Sequence, residues 1–297
     1  MGLKIIEARH INIDNKIENE YFENIVDTSS VWIESRTGIK SRFFTDKRGY
    51  DMAIETVKLF KNSLRNLDLI IVASFTTRMR APSVAASINE FIGGDKNILC
   101  FDLNMACSGF MGAVILAEKY LEIGGKALII ATEKISDFLN FKDRSSCVLF
   151  GDGAAGVLVE KNNKLWEHIV GTFPGIEALN VNENSLIEMD GKKVYRFASV
   201  NVTIAIEDLL KKCRIMPQEI DYYLLHQANI RIINQVLEKL KIKSNKTMTN
   251  IDRYGNTSAA SIPILISENF HKFNEKDKIV IAGFGAGLSI AAVLMEW

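Results

Sequence analysis

A repeat with an offset of about 150 residues is the feature that most restricts how this chain can fold. Asp68 lies in an apolar run that follows a helical stretch, and Asp221 lies in a similar run 153 residues later. Lys126 and Lys278 begin two further runs that resemble each other and are 152 residues apart. Chance similarity between apolar strands is the alternative, but two matches at nearly one offset favour a duplicated unit.

The two halves of this repeat differ in length. The runs that close them, Val157–Glu160 and Val293–Glu296, are 136 residues apart, so the first half carries an extra segment after Thr132. No Pro- or Ser-rich linker separates the halves, and we therefore expect them to pack into one body. We place the first half at 1–162 and the second at 163–297.

Apolar, β-branched runs alternate with amphipathic stretches along the chain, which is typical of an α/β protein. The predicted strands are Leu67–Ser74, Asn97–Leu103, Lys126–Thr132, Cys147–Phe150, Ala154–Glu160, Ile220–Leu225 and Lys278–Ala282. The predicted helices are Met52–Asn66, Cys107–Gly124, Asn201–Cys213 and Ile230–Lys243.

The composition excludes several classes of protein. Among 297 residues, 36 Lys and Arg balance 36 Asp and Glu, whereas a chain devoted to nucleic acid needs a basic excess. No apolar run reaches the roughly 18 residues of a membrane span, and the first residues lack the apolar core of a signal peptide. The four cysteines have no metal-binding spacing. We therefore expect a cytoplasmic globular protein without metal, nucleic-acid partner or membrane insertion.

Cys107 is the candidate nucleophile. It lies in Asn104–Phe110, between a strand end and a helix rich in small residues. The N–H groups and the dipole at a helix N-terminus stabilise a thiolate, so this position predicts a lowered thiol pKa. The alternative is a buried structural cysteine. That alternative is our expectation for Cys100 and Cys147 within apolar strands, and Cys213 at a helix end is expected to be inert.

Three other segments place polar or glycine residues at strand ends. His226 directly follows a predicted strand, at the edge where α/β proteins gather their sites, although on its own a helix-entry or core histidine is the simpler interpretation. Gly255–Ser261 is a helix start whose simpler interpretation is capping. Phe284–Gly287 could present backbone donors to an oxyanion, and Asp152 is most simply a turn residue.

Taken in order, these segments resemble the β-ketoacyl-acyl-carrier-protein synthase III family of the thiolase superfamily. The resemblance is carried by Ala-Cys-Ser-Gly-Phe at 106–110, His-Gln-Ala-Asn at 226–229 and Gly-Asn-Thr-Ser-Ala at 255–259. It extends over nearly the whole chain, through Trp32–Ile39, Asp143-Arg144, Phe150–Gly153 and Met189–Gly191. It implies a thiolase-like fold, in which two duplicated βα halves form a layered α-β-α-β-α body, and a homodimer.

The resemblance also implies a reaction, which would make the chain an acyltransferase. The family joins an acyl-CoA primer to malonyl-acyl-carrier protein in a decarboxylating Claisen condensation, and the 3-oxoacyl product initiates type II fatty acid synthesis. Cys107 would carry the acyl group, and His226 and Asn256 would stabilise the enolate formed as CO2 leaves. The backbone N–H groups of Cys107 and Ala286 would form the oxyanion hole. CoA thioesters are substrates here, so no cofactor is expected.

The same resemblance assigns binding residues. Six positions match CoA contacts: Trp32, Arg36, Arg144, Gly191, Ala228 and Asn229. Three basic positions would dock the acidic carrier protein: Arg196, Arg231 and Lys239. A solvated helix face is the alternative for the lysine.

Some positions depart from the family pattern. Ala81 stands where many relatives place a Phe that crosses the dimer and limits the acyl pocket. Its small size predicts a primer longer than acetyl, or branched, unless Met79 or Arg80 refills the space. The opening strand Leu3–Arg9 looks eroded, and the segment 161–186 is shorter than expected.

Two alternatives remain open at this stage. One is a related condensing enzyme of secondary metabolism that forms an ester or amide. The other is a non-catalytic partner subunit, against which the intact Cys107, His226 and Asn256 argue. If the thiol pKa is lowered, acylation should persist below the ordinary thiol value of about 8.5.

Overall fold

A computed structural model describes residues 1–61, 63–79 and 81–297, so Arg80 lies outside the described residues. The strands are Gly2–His10 (β1), Lys16–Glu18 (β2), Ser41–Phe43 (β3), Leu69–Ala73 (β4), Leu99–Leu103 (β5), Lys126–Glu133 (β6), Gly153–Asn162 (β7), Trp166–Thr172 (β8), Leu179–Val181 (β9), Ile187–Met189 (β10), Tyr222–Leu225 (β11), Lys278–Gly285 (β12) and Ser289–Glu296 (β13). The α-helices are Glu20–Glu23 (α1), Ser30–Thr37 (α2), Gly49–Lys58 (α3), Val84–Phe91 (α4), Gly109–Tyr120 (α5), Arg144–Cys147 (α6), Gly191–Cys213 (α7), Ile230–Lys239 (α8), Ile251–Tyr254 (α9) and Ser261–Asn269 (α10). Short 3-10 helices cover Ala106–Ser108, Ile135–Phe138, Ile176–Ala178, Pro217–Glu219, Ser244–Lys246, Ser258–Ala260, Phe270–Lys272 and Ala286–Leu288.

Two sheets repeat one strand order. The first is β1-β7-β6-β4-β5, and the second is β8-β13-β12-β11. In each sheet the first two strand pairs of this order are antiparallel, and the pairs that follow are parallel (β6 with β4 and β4 with β5 in the first sheet, β12 with β11 in the second). A lone parallel bridge from Tyr223 to Thr247 takes the place that β5 has beside β4. The duplication predicted from the sequence is confirmed.

The aspartate and lysine that reveal the repeat make the same contacts in both halves. The Asp68 backbone N–H donates to the Lys126 carbonyl at 2.9 Å, and the Lys126 N–H donates to the Asp68 carboxylate at 2.9 Å. Asp221 and Lys278 repeat this pair at 2.9 and 2.8 Å. Each pair fixes the register where two parallel strands begin.

The layers follow from the alternation of side chains along each strand. In β4, Leu69 and Ile71 face the central layer of α5 and α10, whereas Ile70 and Val72 face α3 and α4. The central helix α5 is buried on nearly every side because a sheet lies on each side of it. Helices α7 and α8 cover the far face of the second sheet. The order of layers is α-β-α-β-α, as predicted.

The extra segment of the first half is real. Between β6 and β7 the chain forms a 3-10 helix and α6, whereas only Ala286–Leu288 separates β12 from β13. The prediction of a strand at Cys147–Phe150 was wrong, because α6 occupies Arg144–Cys147 and the Asp143 carboxylate caps it. The apolar run at Cys147–Phe150 is too short for its periodicity to distinguish a strand from the end of a buried helix.

The opening strand is complete rather than eroded. β1 pairs with β7 from Gly2 opposite Asn162 to His10 opposite Ala155, and it closes the first sheet. The bounds of all four predicted helices differ from prediction, since α3, α5 and α8 are shorter than expected and α7 is longer. The proposed boundary after residue 162 falls between β7 and β8. Among the described residues, no helix is both long enough and apolar enough to cross a membrane.

Candidate active site

Cys107 lies in the 3-10 helix that joins β5 to α5. Asn104 stabilises this turn, because its side-chain oxygen accepts a hydrogen bond from the Ala106 N–H at 3.2 Å. Ala106 has a φ of +45°, a left-handed conformation that non-glycine residues adopt rarely and that is often found at functional sites. The turn leaves the Cys107 side chain only 6% exposed, between the two sheets.

The environment of Cys107 changes the expectation for its thiol. Burial raises the pKa of Cys107 to about 12; the Ser258 hydroxyl opposes this rise, and the charge of Glu133 adds to it. The prediction of a lowered thiol pKa is therefore wrong for the unliganded site. Desolvation of a thiolate enclosed this tightly exceeds the effect of the helix N-terminus.

His226 directly follows β11, where its backbone N–H donates to the Ala282 carbonyl at 2.9 Å. Its ring Nδ1 is 2.6 Å from the Ser261 Oγ, while Nε2 is buried and has no hydrogen-bond partner among the described residues. Burial lowers the pKa of His226 to about 3, so the imidazole is neutral at physiological pH. The site thus holds one neutral ring nitrogen free for a substrate.

The backbone of Asn256 is fixed by the segment before β7. Its N–H donates to the Leu149 carbonyl at 2.9 Å, and its carbonyl accepts from the Gly151 N–H at 3.0 Å. Its side-chain oxygen accepts from the Ser258 N–H at 2.9 Å. Since the oxygen is occupied, the Nδ2 group is the part of the amide left to donate to a substrate.

Two glycines of β12 allow the site to close. A Cβ on Gly285 would lie 3.0 Å from both the Met105 carbonyl oxygen and the Ser108 nitrogen. A Cβ on Gly283 would lie 2.6 Å from the Cβ of His226. This close packing holds Ala286 beside the Cys107 turn. Ala286 and Cys107 line the same cavity.

Two cavities meet at Cys107. The first, of about 420 Å³, has mostly apolar walls that include Phe75, Leu179 and Ile187. The second, of about 760 Å³, is lined by Cys107, His226 and Asn256 together. All six predicted CoA contacts line the second cavity: Trp32, Arg36, Arg144, Gly191, Ala228 and Asn229.

Several of these side chains already have partners in the unliganded chain. The Arg144 guanidinium lies 4.8 Å from the centre of the Trp32 ring. Asn229 caps α8 by accepting from the Arg231 N–H, and it donates to the Arg36 carbonyl at 3.2 Å. Arg231 also lines the second cavity, with its guanidinium 5.3 Å from the centre of the Tyr195 ring.

Three predicted residues lie away from both cavities. Arg196 is exposed on α7, and the Lys239 ammonium donates to the Ser199 carbonyl at 3.0 Å. Ala81 is exposed and lines neither cavity of this chain. Its proposed effect on the primer requires a second subunit and stays a prediction.

Glu133 is a site residue that the sequence reasoning missed. It is fully buried at the end of β6, and burial raises its pKa to about 7. Its carboxylate accepts hydrogen bonds from Thr76, Ser74 and Ser258. The available signal was a Glu that ends a buried strand at the edge that carries Cys107.

The duplicated five-layer fold, with a thiol, an imidazole and an amide at its centre, is that of a thiolase-fold condensing enzyme, a class of acyltransferases. The chain belongs to the 3-oxoacyl-[acyl-carrier-protein] synthase III family. The model of this family matches residues 101–173, and its C-terminal model matches residues 210–297.

Known relatives agree over the full length. The β-ketoacyl-[acyl-carrier-protein] synthase III of Clostridium botulinum (strain 657 / Type Ba4) is 39% identical, over 96% of this chain and 95% of the relative. The crystal structure of 3-oxoacyl-[acyl-carrier-protein] synthase III from Aquifex aeolicus VF5 has a TM-score of 0.94 at 35% identity and covers 100% of both chains. The priming β-ketosynthase of the R1128 polyketide biosynthetic pathway has a TM-score of 0.91 at 27% identity, covering 99% of this chain and 96% of that chain.

Proposed function

We propose that this chain condenses an acyl-CoA primer with malonyl-acyl-carrier protein to give 3-oxoacyl-acyl-carrier protein, initiating type II fatty acid synthesis. The observation that carries the proposal is the second cavity, which brings Cys107, His226 and Asn256 together at its inner end. The same cavity runs past Trp32 and Arg144. We propose no cofactor beyond the thioester substrates.

The first step is acylation of Cys107. The sulfur attacks the primer thioester carbonyl, CoA leaves as a thiolate, and the acyl group remains on the enzyme. The Cys107 and Ala286 N–H groups supply the oxyanion hole, supported by the contact of Gly285 with the Cys107 turn. Loss of one such donor typically costs about 3–4 kcal/mol in the transition state.

The second step is decarboxylation and carbon–carbon bond formation. The malonyl thioester carbonyl accepts hydrogen bonds from His226 Nε2 and Asn256 Nδ2, which stabilise the enolate as CO2 leaves. We assign the tautomer in which the Ser261 hydroxyl donates to Nδ1, so that the neutral imidazole carries its proton on Nε2. The enolate then attacks the acyl carbon and releases Cys107.

The proposal is tested by intact-mass measurement. Incubation with acyl-CoA should add one acyl group to the wild-type chain and none to Cys107→Ala. A panel of primers with malonyl-carrier protein should then give 3-oxoacyl products. Failure of every acyl-CoA to modify Cys107 would contradict the proposed function.

We propose that Trp32 and Arg144 separate to hold the CoA adenine between them. Their present 4.8 Å contact leaves no space for a ring, since two stacked contacts of about 3.5 Å each are required. Binding therefore breaks a cation–π contact and forms two new stacking contacts. Quenching of Trp32 fluorescence by CoA should be lost in Trp32→Leu, and unchanged fluorescence in wild type would contradict this proposal.

We propose that the primer acyl chain occupies the first cavity and is longer than acetyl, or branched. The apolar walls of this cavity support the idea, because each buried methylene contributes about 0.8 kcal/mol. Acylation rates with acetyl-, isobutyryl- and octanoyl-CoA test it. A strict preference for acetyl-CoA would contradict it.

We propose that the carrier protein docks near the mouth of the second cavity, on Arg231 and the exposed Arg196, with Lys239 further along α8. Acidic carrier surfaces complement these charges. Arg196→Ala should raise the KM for malonyl-carrier protein about threefold to tenfold, since rim charges contribute little each, and leave acylation by acyl-CoA unchanged. An unchanged KM would remove Arg196 from the docking surface.

We propose that the chain forms a cytoplasmic homodimer through β5. This strand is the edge of the first sheet, and Leu99 on it is 41% exposed. An exposed apolar edge readily pairs with a second copy. Leu99→Asp should give a monomer in sedimentation velocity, whereas Met216→Asp, a change at another exposed apolar residue, should not.

The four free cysteines support the cytoplasmic part of the proposal, because thiols stay reduced in that compartment.

A second candidate function is priming of a polyketide, which the structural likeness to the R1128 enzyme favours. Both functions use the same acyl-Cys107 intermediate. They differ in the carrier protein that delivers the malonyl group, so competition between fatty-acid and polyketide carrier proteins separates them.

A further inference from the structure

His226 and Asn256 must be held at a fixed distance from each other to act on one thioester carbonyl, yet they lie 30 residues apart in the sequence. Each is fixed by its own contacts. The Ser261 hydroxyl oxygen lies 2.6 Å from the His226 Nδ1, and the Leu149 carbonyl accepts from the Asn256 N–H at 2.9 Å. Neither contact joins the two segments directly.

Gln227 makes that connection. It directly follows His226 and is fully buried, but it lines neither cavity, whereas His226 and Ala228 on either side of it line the second. Its Nε2 donates to the Leu225 carbonyl at 2.7 Å, and its Oε1 accepts from the Asn250 N–H at 3.1 Å. The buried amide is therefore paired at one end with the strand end that carries the imidazole and at the other end with a distant segment.

Asn250 begins the short helix that leads to Asn256. It is the N-cap residue of α9, and its carbonyl accepts from the N–H groups of Arg253 and Tyr254 at 3.0 and 3.1 Å. Helix α9 ends two residues before Asn256. Because a single hydrogen-bonded turn separates the two asparagines, a shift of Asn250 carries Asn256 with it.

Helix α10 closes the connection on the opposite side. Its first residue, Ser261, contacts His226, and Glu268 lies seven residues later on the same face of the helix. The Glu268 carboxylate accepts from the Asn250 Nδ2 at 2.9 Å. These contacts form a closed set, here called the contact ring, of His226, Ser261, Glu268, Asn250 and Gln227.

We propose that Gln227 is a positioning residue that sets the distance between His226 and Asn256 for the condensation step. The inference rests on the proposed roles of these two residues as donors to the malonyl thioester. Gln227 lines neither cavity, so it acts through the contact ring and not on the substrate. A misplacement of about 1 Å can cost about 10²-fold in rate, so a hydrogen bond that fixes this spacing matters to the reaction.

Comparison of acylation with condensation tests the proposal, because acylation uses Cys107 and Ala286, which lie outside the contact ring. Gln227→Met keeps the length of the side chain and loses both hydrogen bonds. It should lower the kcat of condensation about tenfold to 10²-fold, with acylation and the KM for malonyl-carrier protein within about twofold of wild type. Thr56→Val, which removes a buried hydrogen bond in α3, should change none of the three. An unchanged kcat, or equal slowing of acylation and condensation, would overturn the proposal.

The Asn256→Ala background distinguishes positioning from a general loss of stability. If Gln227 acts by placing the Asn256 amide, Gln227→Met should slow condensation by less than about threefold once that amide is gone. A merely structural residue would cause the same loss in both backgrounds. That result would overturn the proposal.

Glu268→Ala opens the contact ring at a partly buried residue, and it provides the test if Gln227→Met does not fold. It should slow condensation about threefold to tenfold, because Asn250 is then held from one side only, and it should leave acylation unchanged. Unchanged condensation in Glu268→Ala would show that the contact ring does not set the distance.

Crystal structures of wild type and Gln227→Met separate this proposal from the proposed function. The distance between His226 Nε2 and Asn256 Nδ2 should differ between them by about 0.5 Å or more. If the distance differs but wild type makes no 3-oxoacyl product, the positioning role stands and the proposed function fails. If wild type makes the product while Gln227→Met matches it in distance and kcat, the function stands and the positioning role fails.

Discussion

The Cys107 turn in the first half and the Asn256 turn in the second are built alike. The first begins with Asn104, whose side-chain oxygen accepts from the N–H of Ala106. The second begins with Asn256, whose oxygen accepts from the N–H of Ser258. Ala106 and Ser258 have φ values of +45° and +50°. At the next position the first turn has Cys107 and the second has Ala259.

One backbone design thus carries two kinds of chemistry. In the first half the turn presents a thiol, and the preceding amide only stabilises the turn. In the second half Asn256 lines the second cavity, the Ser258 hydroxyl donates to Glu133, and a methyl group takes the place of the thiol. Duplication supplied the scaffold, and single side chains at matching positions distinguish the turn of the proposed nucleophile from the turn of the proposed enolate partner.

The largest expected effect comes from removing the difference between the two turns. Cys107→Ala gives the first turn the residue of the second, and it should abolish the acyl adduct and condensation because no nucleophile remains. Cys213→Ala is the matched control and should keep both. Intact mass and product formation measure the outcome. Condensation by Cys107→Ala at the wild-type rate would place the nucleophile elsewhere.

Next in size is the difference between the two asparagines. Asn256→Ala should slow condensation about 10²- to 10³-fold, as loss of one preorganised donor does, and leave acylation within a few-fold of wild type. Asn104→Ala should cost about 1 kcal/mol of stability, the value of a lost cap, with a smaller effect on condensation. Separate acylation and condensation assays, with denaturant unfolding, measure both. Equal effects on condensation would mean that the turns are not specialised.

The halves should also respond oppositely to pH. Burial raises the pKa of Glu133 from its ordinary 4.5 to about 7, so the folded chain binds the extra proton in this window and stability falls as pH rises through it. Burial lowers the pKa of His226 from 6.5 to about 3, so stability rises with pH between those values. Relative to wild type, Glu133→Gln should gain on the order of 3 kcal/mol from pH 4.5 to 7.

Urea unfolding at several pH values measures this difference. His226→Asn is the companion variant, and relative to wild type it should lose stability as pH rises from 3 to 6.5. Parallel pH dependence in both variants and wild type would show that neither group titrates differently in the folded and unfolded chain.

The smallest expected effect concerns the glycine that lets β12 approach the Cys107 turn. Gly285→Ala should displace the turn and slow acylation about tenfold, because the added methyl lies 3.0 Å from the Met105 oxygen. Gly171→Ala in β8, where the nearest atom is 3.7 Å away, should leave acylation unchanged. An undisturbed Gly285→Ala enzyme would show that this contact does not position the turn.

The repeat was predictable because Asp68 and Asp221 are chemically required where they lie. Each accepts from the lysine N–H that begins the neighbouring strand, so the pairs recur at a fixed spacing. The place of His226 was predictable for a similar reason, since an abrupt change from apolar to polar residues marks a strand end. At the two Asp–Lys pairs and at the strand end before His226, the local residue pattern is enough to predict the observed structure.

The unpredicted features depend on distant parts of the chain. The thiol pKa of Cys107 is set by enclosure, which a position beside a helix does not reveal. Glu133 follows Thr132 in a sequence that fits an exposed strand end equally well. The hydroxyl groups that donate to Glu133 belong to Ser74 and Thr76, just after β4, and to Ser258, in the turn after Asn256. All three are far from Glu133 in sequence.

The burial of α5 between both sheets has a consequence for how the protein is made. A ribosome completes α5 long before it synthesises β11, β12 and β13, whose side chains share the central core with this helix. Until then one apolar side of α5 faces water, so the first half should not reach its final packing alone. Enclosure of Cys107 is therefore a late event in folding, and a chain stalled within the second half carries an accessible thiol.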